Sequence, residues 1–427
     1  KIEDLRQRIL ITILFVAIYR FGSYVVLPGI NPAMLAKLHE QTSEGLLALL
    51  NMFSGGAFSN ASIFALGIMP YISASIVIQL LGIAVPYFQK LQREGESGRR
   101  KMNQYTRYLT IAILLVQAPS YLLNLKMQAG PSLNASLDWT LFMVTSTIIL
   151  AAGSMFILWL GERITENGVG NGISIVLLIN IISGMPSDFA TLYSTFVAPR
   201  TIAKGVLAAA IIIAILVVMV VLVCFLQDGE RRIPVQYSQK VSGRKSFGGQ
   251  STNIPLKVNT AGVMPVIFAS SLMQFPVIIA QLFGKSYEWT RYLSSSYWCR
   301  VSAPKYSLGL ILYIVLLIIF AYFYTSITFN PIEVADNLKK AGGVIPGITP
   351  GKSTSDYLNN ILNYIVFVGA VGLLIVALIP IMCTGFFNAS VSFGGTSVII
   401  IVGVVLETLK QIESQMVNRY YKGFLSE

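Results

Sequence analysis

Among the side chains that might do chemistry, the strongest lead is the run GITPGKST at 347–354, where Gly351, Lys352 and Ser353 match the end of a phosphate-cradling loop. Such a loop wraps backbone N–H groups around a phosphate and needs the spacing G-x-x-x-x-G-K-[ST]. The first glycine would fall at position 346, where Pro346 stands, so the segment reads as a solvated loop. Energy for any driven process must then come from a partner. The three cysteines, Cys224, Cys299 and Cys383, show no C-x-x-C spacing, and the single histidine is His39. Local motifs therefore offer neither a metal site nor a disulfide framework. No nucleophile and base stand at a recognisable spacing, so no catalytic residue and no cofactor is expected. Asn60, Asn134 and Asn388 each open an N-A-S sequon, and these read as chance matches.

Charge inside apolar segments is the remaining chemical lead. Arg20 lies within the first apolar run, where a guanidinium is costly in lipid and must face protein or snorkel outward. A structural role is the expected one. Glu407 sits near the inner end of the last run, within reach of water. No carboxylate pair or histidine relay accompanies them, which weakens a proton- or sodium-coupled transporter. Gln79 is one of few amides among aliphatics, and an amide in such a setting is by default glue between helices.

The elements that carry these residues are set by composition. Of 427 residues, 54% are hydrophobic and only 12% charged, with a mean hydropathy of +0.68, which places the chain among integral membrane proteins. The net charge of +12 lies between apolar runs rather than on a polar domain, so membrane topology explains it before nucleic-acid binding does. Ten runs are long enough to cross: 9–27, 70–85, 105–125, 139–160, 173–185, 205–226, 260–283, 307–329, 358–382 and 394–409. The first lacks an A-x-A cleavage site and is expected to be retained. Ten spans put both termini on one side, and Lys and Arg concentrate there, so both are expected in the cytoplasm. Two basic loops on that side, 86–104 and 227–259, exceed what connection requires and favour docking.

One stretch breaks the pattern. Between Asn51 and Leu81 a short apolar piece, 57–66, is flanked by Gly55 and Gly56 on one side and Gly67 and Pro70 on the other. At about 1.5 Å per residue it covers about half of a hydrocarbon core roughly 30 Å thick. A broken half-span of this kind survives only where protein or a water-filled cavity surrounds it. Five spans per half also means that any likeness between halves must be an inverted repeat.

Several runs then carry a resemblance: SGGAFSNASIFALGIMPYISASIVIQLL, GESGRRKMNQYTRY, WLGERITENGVGNGISI, QSTNIPLKVNTAGVMPVIFASS, FNPIEVADNLKKAGGVIPGITPG and FGGTSVIIIV. In order and along essentially the whole chain, they resemble the SecY/Sec61 family of protein-conducting channels. The resemblance implies an all-α integral membrane protein of ten transmembrane helices, in two pseudo-symmetric inverted five-helix halves, 1–204 and 205–427, closing like a clamshell. It implies a short re-entrant plug helix of Gly55, Gly56, Ala57, Phe58, Ser59, Asn60, Ala61, Ser62, Ile63, Phe64, Ala65 and Leu66. A pore ring of Ile68, Ile72, Ile173, Leu177, Ile267 and Ile400 follows, together with a lateral gate that includes Gln79 and Asn259.

The same resemblance implies that Arg231, Arg232, Arg244, Lys245, Lys339 and Lys340, in the loops 227–259 and 330–357, dock the SecA motor ATPase or a translating ribosome. SecE and SecG as small membrane subunits, signal-bearing polypeptides and membrane lipids complete the implied partners, in a bacterial inner membrane. Thr349 and Ile332 stand where the family commonly has Arg, which leaves motor coupling at those positions open. The expected function is passage of unfolded secretory chains across the membrane with sideways release of apolar segments. The rival is an inverted-repeat secondary transporter for a small solute, which would call for coordinating residues in paired broken helices.

Overall fold

The computed structural model describes residues 3–31, 51–129, 138–198, 202–237, 241–242, 245–246, 251–260, 262–282, 288–293, 298–299, 304–387 and 395–422. A helix stands at each of the ten expected spans. They are α1 (Glu3–Gly22), α2 (Met69–Ala84), α4 (Glu96–Ala129), α5 (Trp139–Asn167), α6 (Gly172–Leu192), α7 (Ile202–Asp228), α8 (Met264–Leu282), α9 (Leu308–Thr328), α11 (Lys352–Phe387) and α12 (Gly395–Lys422). Two shorter amphipathic helices join them, α3 (Pro86–Arg93) and α10 (Pro331–Lys340).

Six of these helices, α4 to α7, α9 and α11, are long and apolar enough to cross a membrane by themselves, among the described residues. The pair α2 and α3, bent by 101°, makes a seventh if it counts as one span. The faces of α7 show what surrounds the molecule: Val206, Leu207, Ile213 and Phe225 are all exposed, the arrangement expected where lipid rather than water is the solvent.

Local chemistry fixes the ends. Pro70 opens α2 and Pro86 opens α3, positions where a missing N–H breaks no helical bond. Asn171 caps α6 by accepting from the N–H groups of Ile173 and Ser174, and Asn330 caps α10 by accepting from that of Ile332. The first span stops at Gly22 rather than running to 27, because Pro28 and the left-handed Gly29 (φ 94°) follow and Leu27 bonds to another segment instead. The expected loop at 86–104 is largely helical, turning once at Gly95 (φ 72°) between α3 and the long α4.

The loops 227–259 and 330–357 are not separate connections. Strand β1 (Glu230–Tyr237) pairs antiparallel with β2 (Ser251–Lys257), Ile233 opposite Ile254, and on its other edge with β3 (Gly343–Val344). The inward residues Ile233, Val235 and Leu256 pack on Leu338 of α10, Ile345, and Leu358 and Ile365 of α11, giving this sheet its own small core. Alternation of buried Ile233 and Val235 with exposed neighbours is the period-2 pattern of a half-covered strand.

Candidate functional site

The segment expected to be a plug helix is not helical. Residues 54–61 and 63–68 form turns, and Ser62 makes an isolated bridge to Val26. Four residues hold left-handed backbone here, Gly55 (φ 64°), Gly56 (φ 86°), Ala61 (φ 47°) and Gly67 (φ 56°), and each stops a right-handed helix. Polar side chains take over the backbone groups that a helix would pair. Ser54 Oγ accepts from Phe58 N–H (3.1 Å) and donates to the Asn51 carbonyl (3.0 Å). Asn51 Oδ1 accepts from Ser59 N–H at 3.0 Å, and Ser62 Oγ donates to the Ala57 carbonyl at 3.2 Å. Serine and asparagine offer the backbone this alternative wherever they are dense, and 51–62 contains five of them.

The coil so formed is wedged between two apolar clusters. Ala57 and Phe64 belong to the large central one, while Phe58, Ala61 and Ala65 belong to a second with Leu27, Leu122, Leu125 and Phe142. Phe64 stacks between Tyr19 of α1 (5.8 Å) and Phe156 of α5 (6.0 Å). Glycines on the walls let it approach: a Cβ on Gly22 would stand 2.2 Å from the Phe64 ring, and one on Gly153 would stand 2.2 Å from the Ile63 carbonyl oxygen. Complete burial of such a phenyl ring stabilises by about 1.5–3 kcal/mol.

Polar anchors come from five directions. Arg20 Nη1 donates to the Gly55 carbonyl (2.9 Å), Asn180 Nδ2 to the Phe53 carbonyl (2.6 Å), and the Tyr121 hydroxyl to the Phe58 carbonyl (2.8 Å). The chain after α1 adds two main-chain bonds, Ile63 N–H to Val25 and Leu27 N–H to the Ala61 carbonyl. Ser397 of α12 donates to Met52 Sδ at 3.0 Å. Among the described residues Arg20 has no ion-pair partner: its charge rests on the Gly55 carbonyl, on the Tyr24 hydroxyl (3.2 Å) and over the Tyr24 ring.

The six expected ring residues share one large apolar cluster. Ile68, Ile72, Leu177, Ile267 and Ile400 are all buried in the central cluster, and the half-buried Ile173 packs against it. They come from the start of α2, from α6, from α8 and from α12, and Phe64 of the coil joins the same cluster. Branched aliphatic side chains give an ion no replacement for its hydration shell.

The two amides expected at a seam are each satisfied within their own segment. Gln79 Nε2 donates to Ser75 Oγ one turn earlier (3.2 Å), and Asn259 Nδ2 donates to the Gly262 carbonyl (3.1 Å). On the sheet, Arg231 and Arg232 are exposed on β1, with Arg232 paired to Glu230 at 2.7 Å, and Lys339 and Lys340 are exposed in the last turn of α10. Because β3 follows α10 and pairs with β1, these four cations sit on one small body. Arg244 lies outside the described residues, and for Lys245 only its place in a short strand is described. Ile332 and Thr349 are both exposed on the same body.

Sequence reasoning missed three side-chain anchors, Asn180, Tyr121 and Ser397. Asn180 carried a readable signal, a lone amide in the run IVLLINII; Tyr121 carried none, since a tyrosine at the end of an apolar run usually marks an interface.

Comparison with known proteins agrees with this geometry. A family model described as SecY matches residues 62–409. Protein translocase subunit SecY of Streptomyces scabiei is 43% identical over 435 residues, covering 100% of this chain and 98% of that protein. The subunit of the same name from Halalkalibacterium halodurans is 42% identical over 437 residues, covering 100% and 98%. Among solved structures, a protein-conducting channel superposes with a TM-score of 0.65 at 16% identity, covering 97% of this chain and 93% of that one. Sec61 in a canine ribosome–channel complex does so with a TM-score of 0.63 at 15% identity, again covering 97% and 93%.

Proposed function

The chain belongs to the SecY family, and we propose that it is the protein-conducting channel through which unfolded secretory polypeptides cross a membrane, with apolar segments released sideways into lipid. The observation that carries the reading is that Ile68, Ile72, Leu177, Ile267 and Ile400 lie in one buried apolar cluster that also holds Ala57 and Phe64 of the turned segment. A collar of branched aliphatics has no hydrogen-bond code, so it resists ions by dewetting and yet accepts any polypeptide sequence.

In this reading residues 55–66 are the plug, the six aliphatics are the collar, and the halves 1–204 and 205–427 open about it like a clamshell. The lateral exit lies where α2 and α4 face α8 and α9. Gln79 and Asn259 flank that exit as polar positions an entering apolar helix displaces. The sheet face with Arg231, Arg232, Lys339 and Lys340 docks the SecA motor or a ribosome, whose acidic or phosphate groups suit an exposed basic cluster. SecE and SecG complete the assembly, in a bacterial inner membrane with both termini cytoplasmic. The chain itself performs no catalysis.

A small-solute transporter is disfavoured: the relatives are named protein translocase subunits, and the central cluster is aliphatic rather than coordinating. Cysteines at Phe58 and Ile72, tested against a secretory chain stalled in proteoliposomes, check the assignment. Crosslinks from both positions are expected. Crosslinks confined to lipid-facing positions such as Leu207 and Phe225 would overturn the pore.

A further inference from the structure

Around Gly55 the structure gathers peptide-binding groups that the plug only half uses. Asn180 is wholly buried; its Nδ2 donates to the Phe53 carbonyl, while its Oδ1 has no hydrogen-bond partner among the described residues. The Tyr19 hydroxyl stands close to that amide. Arg20 Nη1 donates to the Gly55 carbonyl, and Ser183 Oγ lies 3.5 Å from the same oxygen. The two head groups close on one spot: a Cβ on Gly55 would stand 2.6 Å from Asn180 Oδ1 and 2.9 Å from Arg20 Nη1.

A carboxamide is the complement of a peptide group, one donor and one acceptor side by side. The plug supplies the carbonyl and withholds the N–H, because its own N–H groups are committed within the coil: Gly55 to Met52, Gly56 to Asn51, Ala57 to Ser54. A buried acceptor left without a donor is costly, so this site is incompletely satisfied at rest. An extended chain carries both groups free at every residue, with carbonyls on one side at every second residue. The carbonyls held here, Phe53 just before the plug and Gly55 at its start, are themselves two residues apart.

We propose that Asn180 and Arg20 form a main-chain binding site that the plug occupies at rest and that a polypeptide in transit takes over once the plug is displaced. The ligand class is an extended peptide backbone, recognised through its C=O and N–H groups without regard to side chains. The site rests on the channel reading above and adds a polar, sequence-independent contact to an otherwise aliphatic path. Exchange is favoured because the incoming chain satisfies the Asn180 oxygen that the plug leaves unpaired.

The test separates this role from simple plug retention by removing the plug. In the full chain with residues 53–64 deleted, reconstituted with its translocation partners, N180L and the double change N180L with R20M are compared with the parent deletion. A threefold to tenfold fall in translocation rate is expected, smaller for a proline-rich passenger, whose backbone lacks the N–H that Oδ1 would accept. Rates equal to the parent for both passengers would overturn the site. Transport by the parent deletion reports separately on the channel reading. A second measurement does not depend on the folding of those variants: a photo-crosslinking side chain at Gly184, one turn beyond Asn180, where an added Cβ meets nothing within 4 Å. Capture of a stalled chain there is expected, and capture of plug residues alone in the stalled state would overturn the proposal.

Discussion

The hydroxyl of Tyr121 donates to the Phe58 carbonyl at 2.8 Å while the two rings of the same residues meet edge to face at 4.7 Å. One residue of α4 therefore holds both the backbone and the side chain of one residue in the turned segment. The bond is buried, so no water replaces it when the hydroxyl is removed. Y121F keeps the ring contact and orphans the carbonyl, at a cost of about 1–3 kcal/mol. The displaced plug then becomes about 5- to 150-fold more populated, since about 1.4 kcal/mol is tenfold in an equilibrium. Resting ion conductance of proteoliposomes is expected to rise with it, and an unchanged leak would remove Tyr121 from the seal.

Gly153 faces the Ile63 carbonyl so closely that a Cβ would stand 2.2 Å from the oxygen. Neither backbone yields easily, because Ile63 is tied by its own N–H to Val25. G153A is expected to destabilise the resting structure by about 1–3 kcal/mol through overpacking. A lowered midpoint of thermal unfolding in detergent checks it. Ser154, the next residue on α5, provides a control, because S154A removes a buried hydroxyl that has no hydrogen-bond partner among the described residues and is expected to be neutral or mildly stabilising.

The collar prediction concerns polarity rather than size. I72N places an amide in the central cluster beside Ile68, where it gives ions and water a foothold. Resting conductance is expected to increase more for I72N than for I72V, which removes only a methylene and keeps the surface dry. Equal conductance in the two variants would argue that the seal is made by the plug alone.

Charge reversal tests the sheet face. K339E with K340E changes the local charge by four units on an exposed helix end and leaves the core residues Ala335 and Leu338 untouched. Association with a motor or ribosome is expected to weaken at least tenfold at low salt, with the difference shrinking at higher ionic strength as screening sets in. Thermal stability is expected to stay constant. I233A, by contrast, removes a buried residue of the small sheet core and is expected to cost about 2–5 kcal/mol locally. Hydrogen exchange of β1 reads that loss.

The sequence by itself determined the class of the molecule, the places of its ten long helices and its family. Those properties are local or additive: apolar run length, proline at the first turn of α2 and α3, capping Asn171 and Asn330, and runs that resemble the family in order along the chain. It also located the break between Asn51 and Leu81 from its glycines and Pro70. Only the tertiary structure decided what that break becomes. The left-handed residue Ala61 is not a residue type that announces such a conformation, and the anchors Arg20, Tyr121 and Asn180 reach the segment from 35, 63 and 127 positions away. Likewise, the two loops read separately in the sequence share one sheet because β3 completes the edge of β1, with Gln236 and Val344 108 positions apart in the chain and paired in space. Periodicity encodes which element forms. Which carbonyl meets which distant donor depends on how those elements pack, and packing is settled only when the whole chain has closed around the segment.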